Sequence, residues 1–523
     1  MLKKLSLFLL AIPLLISMVY VSKEKKKPNI VFILTDDLGY NDLGFMGSNF
    51  YETPILDKLA LRSTVFKRAY ASCQVCSPSR GSILSGCYPT VHGITDWIGA
   101  PSGTDWRKYN RFSKLLPPEY TRQLNLNYTT IPELLKQNDY ATFFAGKWHL
   151  GDTGSLPTDH GFDFNVAGTH KGSPNSFFSP YNMDNITNGP NGENLEMRLA
   201  KETASFIQNN KDKSFFAFLS FYAVHAPIQT TKKKWSYYRD KAEKMGIQEI
   251  GFEMERIFPA RKKQDNPVYA GLVSSVDDAV GVVLESLSKS KLDKNTIVIF
   301  TSDNGGVVSG DNYSTNLAPL RGGKGYQWEG GIRVPLLIYH PDYKGQIVNT
   351  PVNGIDFLPT ILDLVNTKIK PSQKLDGVSI FPLMKHKKIA KRPLFWHYPH
   401  YGNQGGEPSS IVQLENYKLI HYWEDERNEL YNLKDDLSEK NDLASSDLKK
   451  VSELWTLLNH WLMTTHAKIP VKDPEYTIEK EELFKQKVQN VIWPNQEKAR
   501  IDMLKKEYQP NMSWWGSMFE LKR

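Results

Sequence analysis

Cysteine is scarce in this chain, since only Cys73, Cys76 and Cys87 occur among 523 residues. So few thiols exclude the disulfide framework on which small secreted domains depend. The spacing of Cys73 and Cys76 also occurs in redox pairs and in halves of zinc sites. A zinc site needs two further ligands at finger-like spacing, and a thioredoxin-like pair belongs in a much shorter βαβ domain, so neither is favoured. If Cys76 is chemically committed, a disulfide between Cys73 and Cys87 stays open.

Excess charge is also lacking outside the N-terminus. The net charge is +8, but residues 1–27 carry six lysines against one glutamate, which leaves +3 for the rest of the chain. This balance excludes a broad basic field of the kind that binds nucleic acid, so no nucleic-acid partner is expected. With 40% apolar content, the chain is long enough for one large domain and a smaller one.

The N-terminus has the pattern of an export leader. Lys3 and Lys4 precede an uncharged, mostly apolar run from residue 5 to residue 22. A basic segment followed by such a run predicts a signal peptide at 1–22 and an exported protein, periplasmic or secreted. An uncleaved membrane anchor is the alternative. No stable membrane insertion is expected beyond this leader.

Four apolar runs end in polar residues that can bind metal, anions or protons. Each run is continuous, as in parallel strands buried on both faces. The runs are Ile30–Leu34, before Asp36 and Asp37; Tyr140–Ala145, before Lys147 and His149; Phe215–Leu219, before His225; and Thr296–Phe300, before Asp303 and Asn304. Helical segments fall between them. Because ligands bind at the carboxyl ends of strands in α/β sheets, we expect these residues to meet in one cleft.

The stretch from Ser72 to Gly86 has the makings of a reactive centre. Ser77 is a good helix N-cap and Pro78 suits the first helical position, so a helix is expected to start immediately after Cys76. Cys76 would then lie at the positive end of the helix. Arg80, about one turn further on, could share an anionic ligand with it. A nucleophile beside an anion site suggests transfer of a charged group.

The oxygen ligands at the strand ends suit a hard cation. Asp36, Asp37, Asp303 and Asn304 offer no thiol or imidazole, so Ca²⁺ or Mg²⁺ is favoured over zinc. Paired carboxylates also serve as N-caps or salt-bridge partners, but their position at the strand ends favours metal binding. The basic groups available around the cation are Arg80, Lys147, His149, His225 and Lys324.

Six sequence blocks together resemble the type I sulfatases, which are formylglycine-dependent enzymes of the alkaline phosphatase superfamily. The resemblance covers most of residues 28–465. The blocks are Cys76-Ser77-Pro78-Ser79-Arg80, Leu84-Ser85-Gly86, Gly146-Lys147-Trp148-His149-Leu150-Gly151, Ser302-Asp303-Asn304-Gly305-Gly306, Arg321-Gly322-Gly323-Lys324-Gly325 and Trp328-Glu329-Gly330-Gly331. Two departures are minor. Ser85 stands where the family commonly has threonine, and Asn41, which follows Tyr40, stands where the family often has glycine.

The resemblance implies an alkaline phosphatase-like α/β fold, with a large, mixed, mostly parallel sheet sandwiched by helices. It also implies that a formylglycine-generating maturation enzyme converts Cys76 and that Ca²⁺, or Mg²⁺, is bound. The implied metal ligands are Asp36, Asp37, the modified Cys76, Asp303 and Asn304. Arg80 would support the resulting hydroxyls, and Lys147 and Lys324 would neutralise sulfate. His225 would protonate the leaving oxygen, and His149 would take the proton that allows sulfate to leave.

The family context favours a sulfated polysaccharide or oligosaccharide as the substrate. Aromatic residues at 395–401, with Trp97 and Trp106, are either sugar-stacking platforms or core. The alternatives are a phosphonate or phosphodiester hydrolase of the same superfamily, an inactive exported carbohydrate-binding relative and, more distantly, a secreted thiol oxidoreductase.

The texture of the sequence changes past residue 385, where short strand-like pieces precede a helix at about 447–465. We therefore predict a catalytic domain at 28–385 and a smaller C-terminal α+β subdomain with an antiparallel sheet at 386–466. The tail at 467–523 is expected to pack along the surface.

Overall fold

The structure is a computed structural model that describes residues 26–108, 111–246, 250–310, 312–367 and 369–512. The predicted signal peptide at 1–22 lies outside these residues, as does the end of the predicted tail from residue 513 onwards.

The strands follow in chain order. They are β1 (Asn29–Thr35), β2 (Thr64–Phe66), β3 (Ala69–Tyr70), β4 (Leu115–Leu116), β5 (Ala141–Gly146), β6 (Phe164–Val166), β7 (Phe215–Ser220), β8 (Phe252–Glu255), β9 (Phe258–Arg261), β10 (Thr296–Ser302), β11 (Arg333–Val334), β12 (Leu336–Tyr339), β13 (Gln346–Val348), β14 (Val352–Asn353), β15 (Leu394–Tyr398), β16 (Ser409–Leu414), β17 (Tyr417–Tyr422), β18 (Asn428–Asn432) and β19 (Val471–Lys472).

The helices are interleaved with these strands. They are α1 (Pro54–Ala60), α2 (Cys76–Ser85), α3 (Pro89–His92), α4 (Ile131–Lys136), α5 (Leu195–Asn209), α6 (Lys232–Met245), α7 (Pro267–Lys289), α8 (Glu329–Ile332), α9 (Phe357–Leu364), α10 (Phe381–Met384), α11 (Leu448–Thr464), α12 (Ile478–Lys487) and α13 (Trp493–Asp502). A π-helical turn, Val488–Ile492, joins the last two.

The largest sheet has eight strands in the order β13-β2-β12-β10-β1-β7-β5-β6. Its central strands are parallel: β1 pairs with β10 on one side and β7 on the other, and β5 pairs with β7 and β6. Strand β12 is antiparallel to both of its neighbours. The four apolar runs are therefore adjacent strands, and the expected mixed, mostly parallel sheet is confirmed.

Helices cover both faces of this sheet. The side chains of β1 alternate, so that Val31 and Ile33 belong to one core and Phe32 to the other. Helices α5, α6 and α7 contribute to the first core, and α2, α4 and α9 contribute to the second. A strand buried on both faces cannot show polar alternation, which is why its sequence is continuously apolar.

The C-terminal part forms a separate four-stranded antiparallel sheet in the order β15-β16-β17-β18. Helix α11 covers it, since Leu454 and Leu458 pack with Val412 and Leu419. The chain then returns to the large domain, where β19 pairs with β4. Further along, the Trp235 indole N–H on α6 donates to the carbonyl of Met503 at 2.8 Å.

Among the described residues, one helix is long and apolar enough to cross a membrane, namely α7. Most of its apolar window is buried against the sheet and α5, as in the core helix of a globular domain. All three cysteines lie within the described residues, and each is a free thiol, so no bond joins Cys73 to Cys87.

Candidate active site

The carboxyl ends of the four central strands bring the predicted residues together. Asp36 and Asp37 follow β1, and Asp303 and Asn304 follow β10, its neighbour on one side. Lys147 and His149 follow β5, one strand further on the other side. This register is a consequence of parallel pairing, which places like ends of strands at one edge.

Helix α2 begins earlier than expected. The sequence predicts Ser77 as the N-cap, but the helix begins at Cys76 with Val75 as N-cap and with no capping side chain. That prediction is wrong because the Ser77 hydroxyl has another role: it accepts a hydrogen bond from the Ile98 N–H at 3.1 Å. Cys76 still lies in the first turn, at the positive end of the helix.

Three buried carboxylates form a compact acidic cluster. Oxygens of Asp36, Asp37 and Asp303 lie within 4.8 Å of one another. Lys147 Nζ lies 2.6 Å from Asp36 Oδ2, and Lys324 Nζ lies 2.7 Å from Asp37 Oδ1. With Arg80, three basic groups therefore balance three carboxyl groups by formal charge, while burial raises the pKa of Asp36 well above its usual range.

The cluster has two acceptor oxygens to spare. Asp36 Oδ1 and Asn304 Oδ1 are buried without a hydrogen-bond partner among the described residues. The Asn304 amide nitrogen donates to Asp37 Oδ1 at 2.8 Å, which leaves its carbonyl oxygen turned the other way. Unpaired buried oxygens are costly, and an all-oxygen set beside carboxylates fits Ca²⁺ or Mg²⁺. Cys76 is not in this group of ligand atoms.

Arg80 is buried beside the acidic cluster. Its Nε donates to Asp303 Oδ2 at 2.8 Å, and its Nη1 donates to the Lys147 carbonyl and the Ser220 hydroxyl, each at 2.8 Å. Nη2 lies 3.8 Å from Asp36 Oδ1 and has no hydrogen-bond partner in the described part of the chain. A charged donor is therefore left for an anion at this point.

His149 contacts the candidate nucleophile directly. Its Nδ1 lies 3.4 Å from Cys76 Sγ, and its Nε2 lies 2.9 Å from the Ile98 carbonyl oxygen. A carbonyl can only accept, so Nε2 carries the proton and the Nδ1 lone pair faces position 76. Burial and then the charge of Lys147 hold the pKa of His149 well below its usual range. The ring is thus a neutral proton acceptor.

His225 lies on the other side of the cluster. Its Nδ1 is 2.8 Å from the Ala226 carbonyl, which directs Nε2 to within 3.7 Å of Asp37 Oδ2. Burial and the charge of Lys324 lower the pKa of His225. Burial alone would raise the pKa of Asp37, but the charge of Lys324 brings it down to about 2. All six catalytic candidates named from the sequence therefore lie around one cluster.

Two residues of this site, Asp37 and His149, have backbone conformations that residues other than glycine rarely adopt. Asp37 has φ +62° and His149 has φ +56°, both in the left-handed region. Such strain costs on the order of 1–3 kcal/mol and persists where the surrounding structure imposes it, which is frequent at active sites.

Sequence reasoning missed two groups and left one reading open. Ser220 is the last residue of β7, and its hydroxyl accepts a hydrogen bond from Arg80 Nη1. Its position at the end of a strand could have indicated this role from the sequence. The Ile98 carbonyl is a backbone group and has no signal in sequence. Trp106, Trp396 and Tyr398 are buried, so they belong to the core rather than to an open sugar platform.

Comparisons with known proteins identify the fold and chemistry. The family model described as Sulfatase matches residues 28–367, and the model described as N-sulphoglucosamine sulphohydrolase, C-terminal, matches residues 323–468. A protein named Sulfatase from Formosa agariphila is 31% identical over 89% of this chain and 94% of its own length. N-acetylgalactosamine-6-sulfatase from Mus musculus is 30% identical over 76% of this chain and 72% of its own length.

Solved structures agree with the sequence relatives. The crystal structure of Ps i-CgsB superposes with a TM-score of 0.68 at 27% identity, over 89% of this chain and 98% of that one. Phosphonate monoester hydrolase of Agrobacterium radiobacter shares the fold at 17% identity, with a TM-score of 0.61 over 85% of this chain and 99% of that one. The chain belongs to the sulfatase family of the alkaline phosphatase superfamily, and it is a sulfuric ester hydrolase.

Proposed function

We propose that the enzyme removes sulfate from a sulfated polysaccharide or oligosaccharide outside the cytoplasm, using formylglycine at position 76 and a bound divalent cation. The observation that carries the proposal is a set of polar atoms at one cluster that have no hydrogen-bond partner in the described part of the chain. Asp36 Oδ1 and Asn304 Oδ1 are acceptors suited to a cation, and Arg80 Nη2 is a donor suited to an anion. All three belong to residues grouped around the contact between Cys76 and His149.

Formal charge supports an anionic ester as substrate. Three carboxylates and three cations cancel, so a divalent cation held by Asp36, Asp37, Asp303 and Asn304 would leave the site positive. Buried fixed charges of this kind are worth more than the same charges in water. A sulfate ester is an anion and meets this requirement.

The residue at position 76 and its neighbours have separate roles in sulfate transfer. Formylglycine, once formed, is an aldehyde whose hydrate would supply two hydroxyls on one carbon, one to attack sulfur and one whose deprotonation would expel sulfate and restore the aldehyde, and the cation would neutralise charge on oxygen. His149 Nδ1, facing position 76, is placed to accept that proton. Arg80, Lys147 and Lys324 stabilise the negative charge that builds on the transferring group.

His225 is assigned the proton donated to the leaving oxygen. The Ala226 carbonyl can only accept, so Nδ1 carries the proton of the neutral ring, and Nε2 is the atom available to the cleft. His225 therefore acts as the acid only after Nε2 has taken up a second proton, and the carboxylate of Asp37, 3.7 Å from Nε2, balances the resulting charge. General acids contribute most when the leaving group is a poor one, as the alcohol of a sugar is.

The substrate class rests on the relatives. The mouse relative is named for N-acetylgalactosamine-6-sulfatase activity, and Ps i-CgsB has been crystallised in complex with k-i-k-neocarrahexaose. Both names refer to carbohydrate, which supports a sulfated glycan here.

Two experiments test the proposal. Mass spectrometry of the peptide that contains residue 76 is expected to show formylglycine in active enzyme, and an unmodified thiol in fully active enzyme would overturn that part. Cys76→Ala should abolish turnover, whereas Cys87→Ala, at a buried thiol away from the cluster, should not. A screen of galactose, N-acetylgalactosamine, fucose and rhamnose sulfates beside the matching phosphates identifies the ester. Faster hydrolysis of the phosphates would refute the sulfatase assignment.

A further inference from the structure

A short loop crosses the start of α2 and is held at nearly every residue. We call Thr95–Ala100 the 95–100 loop. The Ile98 N–H donates to Ser77 Oγ on α2 at 3.1 Å. The Tyr120 hydroxyl donates to the Trp97 carbonyl at 2.8 Å and lies 3.0 Å from the Ala100 carbonyl. The backbone of this loop is therefore fixed against the helix that carries Cys76.

The loop decides which nitrogen of His149 carries the proton. The Ile98 carbonyl accepts from Nε2 at 2.9 Å, which leaves Nδ1 as the acceptor that faces Cys76. The backbone N–H of His149 is separately bonded to the Thr169 carbonyl, so the main chain is fixed independently of the contact between the ring and Ile98. If this carbonyl moved, the other tautomer would place a proton on Nδ1 and remove the acceptor.

Asp96 is the anchor of this loop and plays no part in the acidic cluster. It is 1% exposed, and its Oδ1 accepts from the Trp97 N–H at 2.8 Å and from the Tyr398 hydroxyl at 2.9 Å. Its Oδ2 lies 3.6 Å from His400 Nδ1, while His400 Nε2 is 2.9 Å from the Thr95 hydroxyl. Tyr398 ends β15, so the anchor comes from the C-terminal sheet.

We propose that Asp96, held by Tyr398, is a positioning residue that keeps the Ile98 carbonyl in place and thereby sets the tautomer of His149. This inference rests on the proposed function, because the tautomer matters for turnover only if His149 accepts a proton from position 76. Through the Tyr398 hydroxyl, the C-terminal sheet thus helps to position His149 in the large domain.

The first test observes the tautomer itself. Histidine-selective ¹⁵N labelling of the full chain, with His149 assigned by its absence in His149→Asn, distinguishes a protonated from an unprotonated ring nitrogen. We expect a single Nε2–H form in wild type and a mixture in Asp96→Ala. Asp96→Asn keeps an oxygen that can accept from Trp97 and Tyr398, so it should restore the wild-type form. An unchanged tautomer in Asp96→Ala overturns the proposal.

The second test uses the order of product release from p-nitrophenyl sulfate. Since His149 is assigned to sulfate release, its misplacement should slow the second product more than the first. Asp96→Ala should show a burst of nitrophenol that sulfate does not match, with kcat and KM lowered together, roughly 10- to 100-fold, and with little change in kcat/KM. Equal slowing of both products would contradict the positioning role.

Matched controls separate this effect from loss of stability. Asp277 is another buried carboxylate that accepts two backbone N–H groups, from Ile55 and Leu56, far from position 76 in the fold. Asp277→Ala should lower thermal stability with neither a burst nor a tautomer change. The hydroxyl of Tyr140 bonds to the Pro28 carbonyl at the opposite strand end, so Tyr140→Phe is the control for Tyr398→Phe.

Tyr398→Phe removes a single hydroxyl and decides the question if Asp96→Ala fails to fold. We expect a smaller loss in the same direction as for Asp96→Ala, and wild-type behaviour would refute the link to the C-terminal sheet. The two proposals fail differently. A wild-type enzyme inactive on every sulfate ester refutes the proposed function, whereas an active enzyme with an unperturbed His149 in both variants refutes the positioning role.

Discussion

Replacing Arg80 by lysine tests whether the site depends on the shape of the guanidinium or only on its charge. Arg80 donates hydrogen bonds to Asp303 through Nε and to the Lys147 carbonyl and Ser220 through Nη1. Its Nη2 has no hydrogen-bond partner among the described residues and is left for the anion. A lysine donates from one nitrogen at the end of a flexible chain. It cannot reach these partners together, and it places no donor where Nη2 stands.

The expected magnitude follows from these contacts. Losing one preorganised donor to the transition state costs about 10²- to 10³-fold in kcat. Leaving the buried Asp303 carboxylate without its charge-assisted hydrogen bond costs a further 1.5–3 kcal/mol, roughly, in the free energy of unfolding. We therefore expect Arg80→Lys to fold with reduced stability and to lose about 10²- to 10³-fold in kcat/KM.

The assay is hydrolysis of p-nitrophenyl sulfate, compared at equal occupancy of formylglycine. Because residue 80 lies close to Cys76, mass spectrometry must first establish the extent of conversion in each preparation. Ser220→Ala is the matched control, since it removes one acceptor and leaves the guanidinium in place, and it should retain most of the activity. Arg80→Lys activity within about tenfold of wild type would refute the reasoning.

Three further predictions concern the acid role of His225, the bound cation and the pH dependence of stability. His225→Ala should slow sugar sulfates far more than an aryl sulfate with a good leaving group, by up to about 10²–10⁴-fold. Chelation of divalent cations should lower both activity and the temperature of unfolding, and Ca²⁺ at a hundred times its Kd should restore about 2.7 kcal/mol. His92, beneath α2, should make stability acid-sensitive: burial lowers its pKa to about 3, and its Nδ1 accepts the Ile94 N–H. Because the unfolded chain takes up that proton first, stability should fall by about 1.4 kcal/mol per pH unit as pH drops from about 6.5 towards 3.

Each of these outcomes has a measurement that can contradict it. Equal slowing of both ester classes by His225→Ala would remove its role as an acid. An unfolding temperature indifferent to chelator and to added Ca²⁺ would remove the cation. For the third, denaturant unfolding of His92→Gln as a function of pH should give a flatter acid limb than wild type, and parallel limbs would show that another group is responsible.

The four central strands and most of the site were predictable because they depend on local pattern. A continuously apolar run such as Ile30–Leu34 predicts a strand buried on both faces, and parallel pairing then brings Asp36 and Asp303 to one edge. The start of α2 was not predictable from capping preference alone. Ser77 is a favourable N-cap, but its hydroxyl is bonded to the Ile98 N–H, and tertiary contacts outweigh a preference worth about 1 kcal/mol.

The role of the aromatic residues could not be predicted from local sequence either. The run at 395–401 is compatible with a binding platform or a core strand, because a pattern of rings does not specify what covers them. In the fold, β15 lies at the edge of the C-terminal sheet, where Trp396 donates to the Ala71 carbonyl at 2.7 Å and Tyr398 reaches Asp96. Both rings are buried in contacts with the large domain, so neither is available to stack on a sugar.

The sequence by itself determined the chemistry of this protein: which side chains stand at the strand ends, and that they are oxygen ligands, cations and imidazoles around a cysteine. These facts are local, since each cluster follows its own strand within a few residues. Only the tertiary structure decided how they are used. The proton on His149 is set by the Ile98 carbonyl, and the loop that carries this carbonyl is anchored by Tyr398, some three hundred residues away. A backbone carbonyl is common to every residue, so its role exists only once the chain has folded around it.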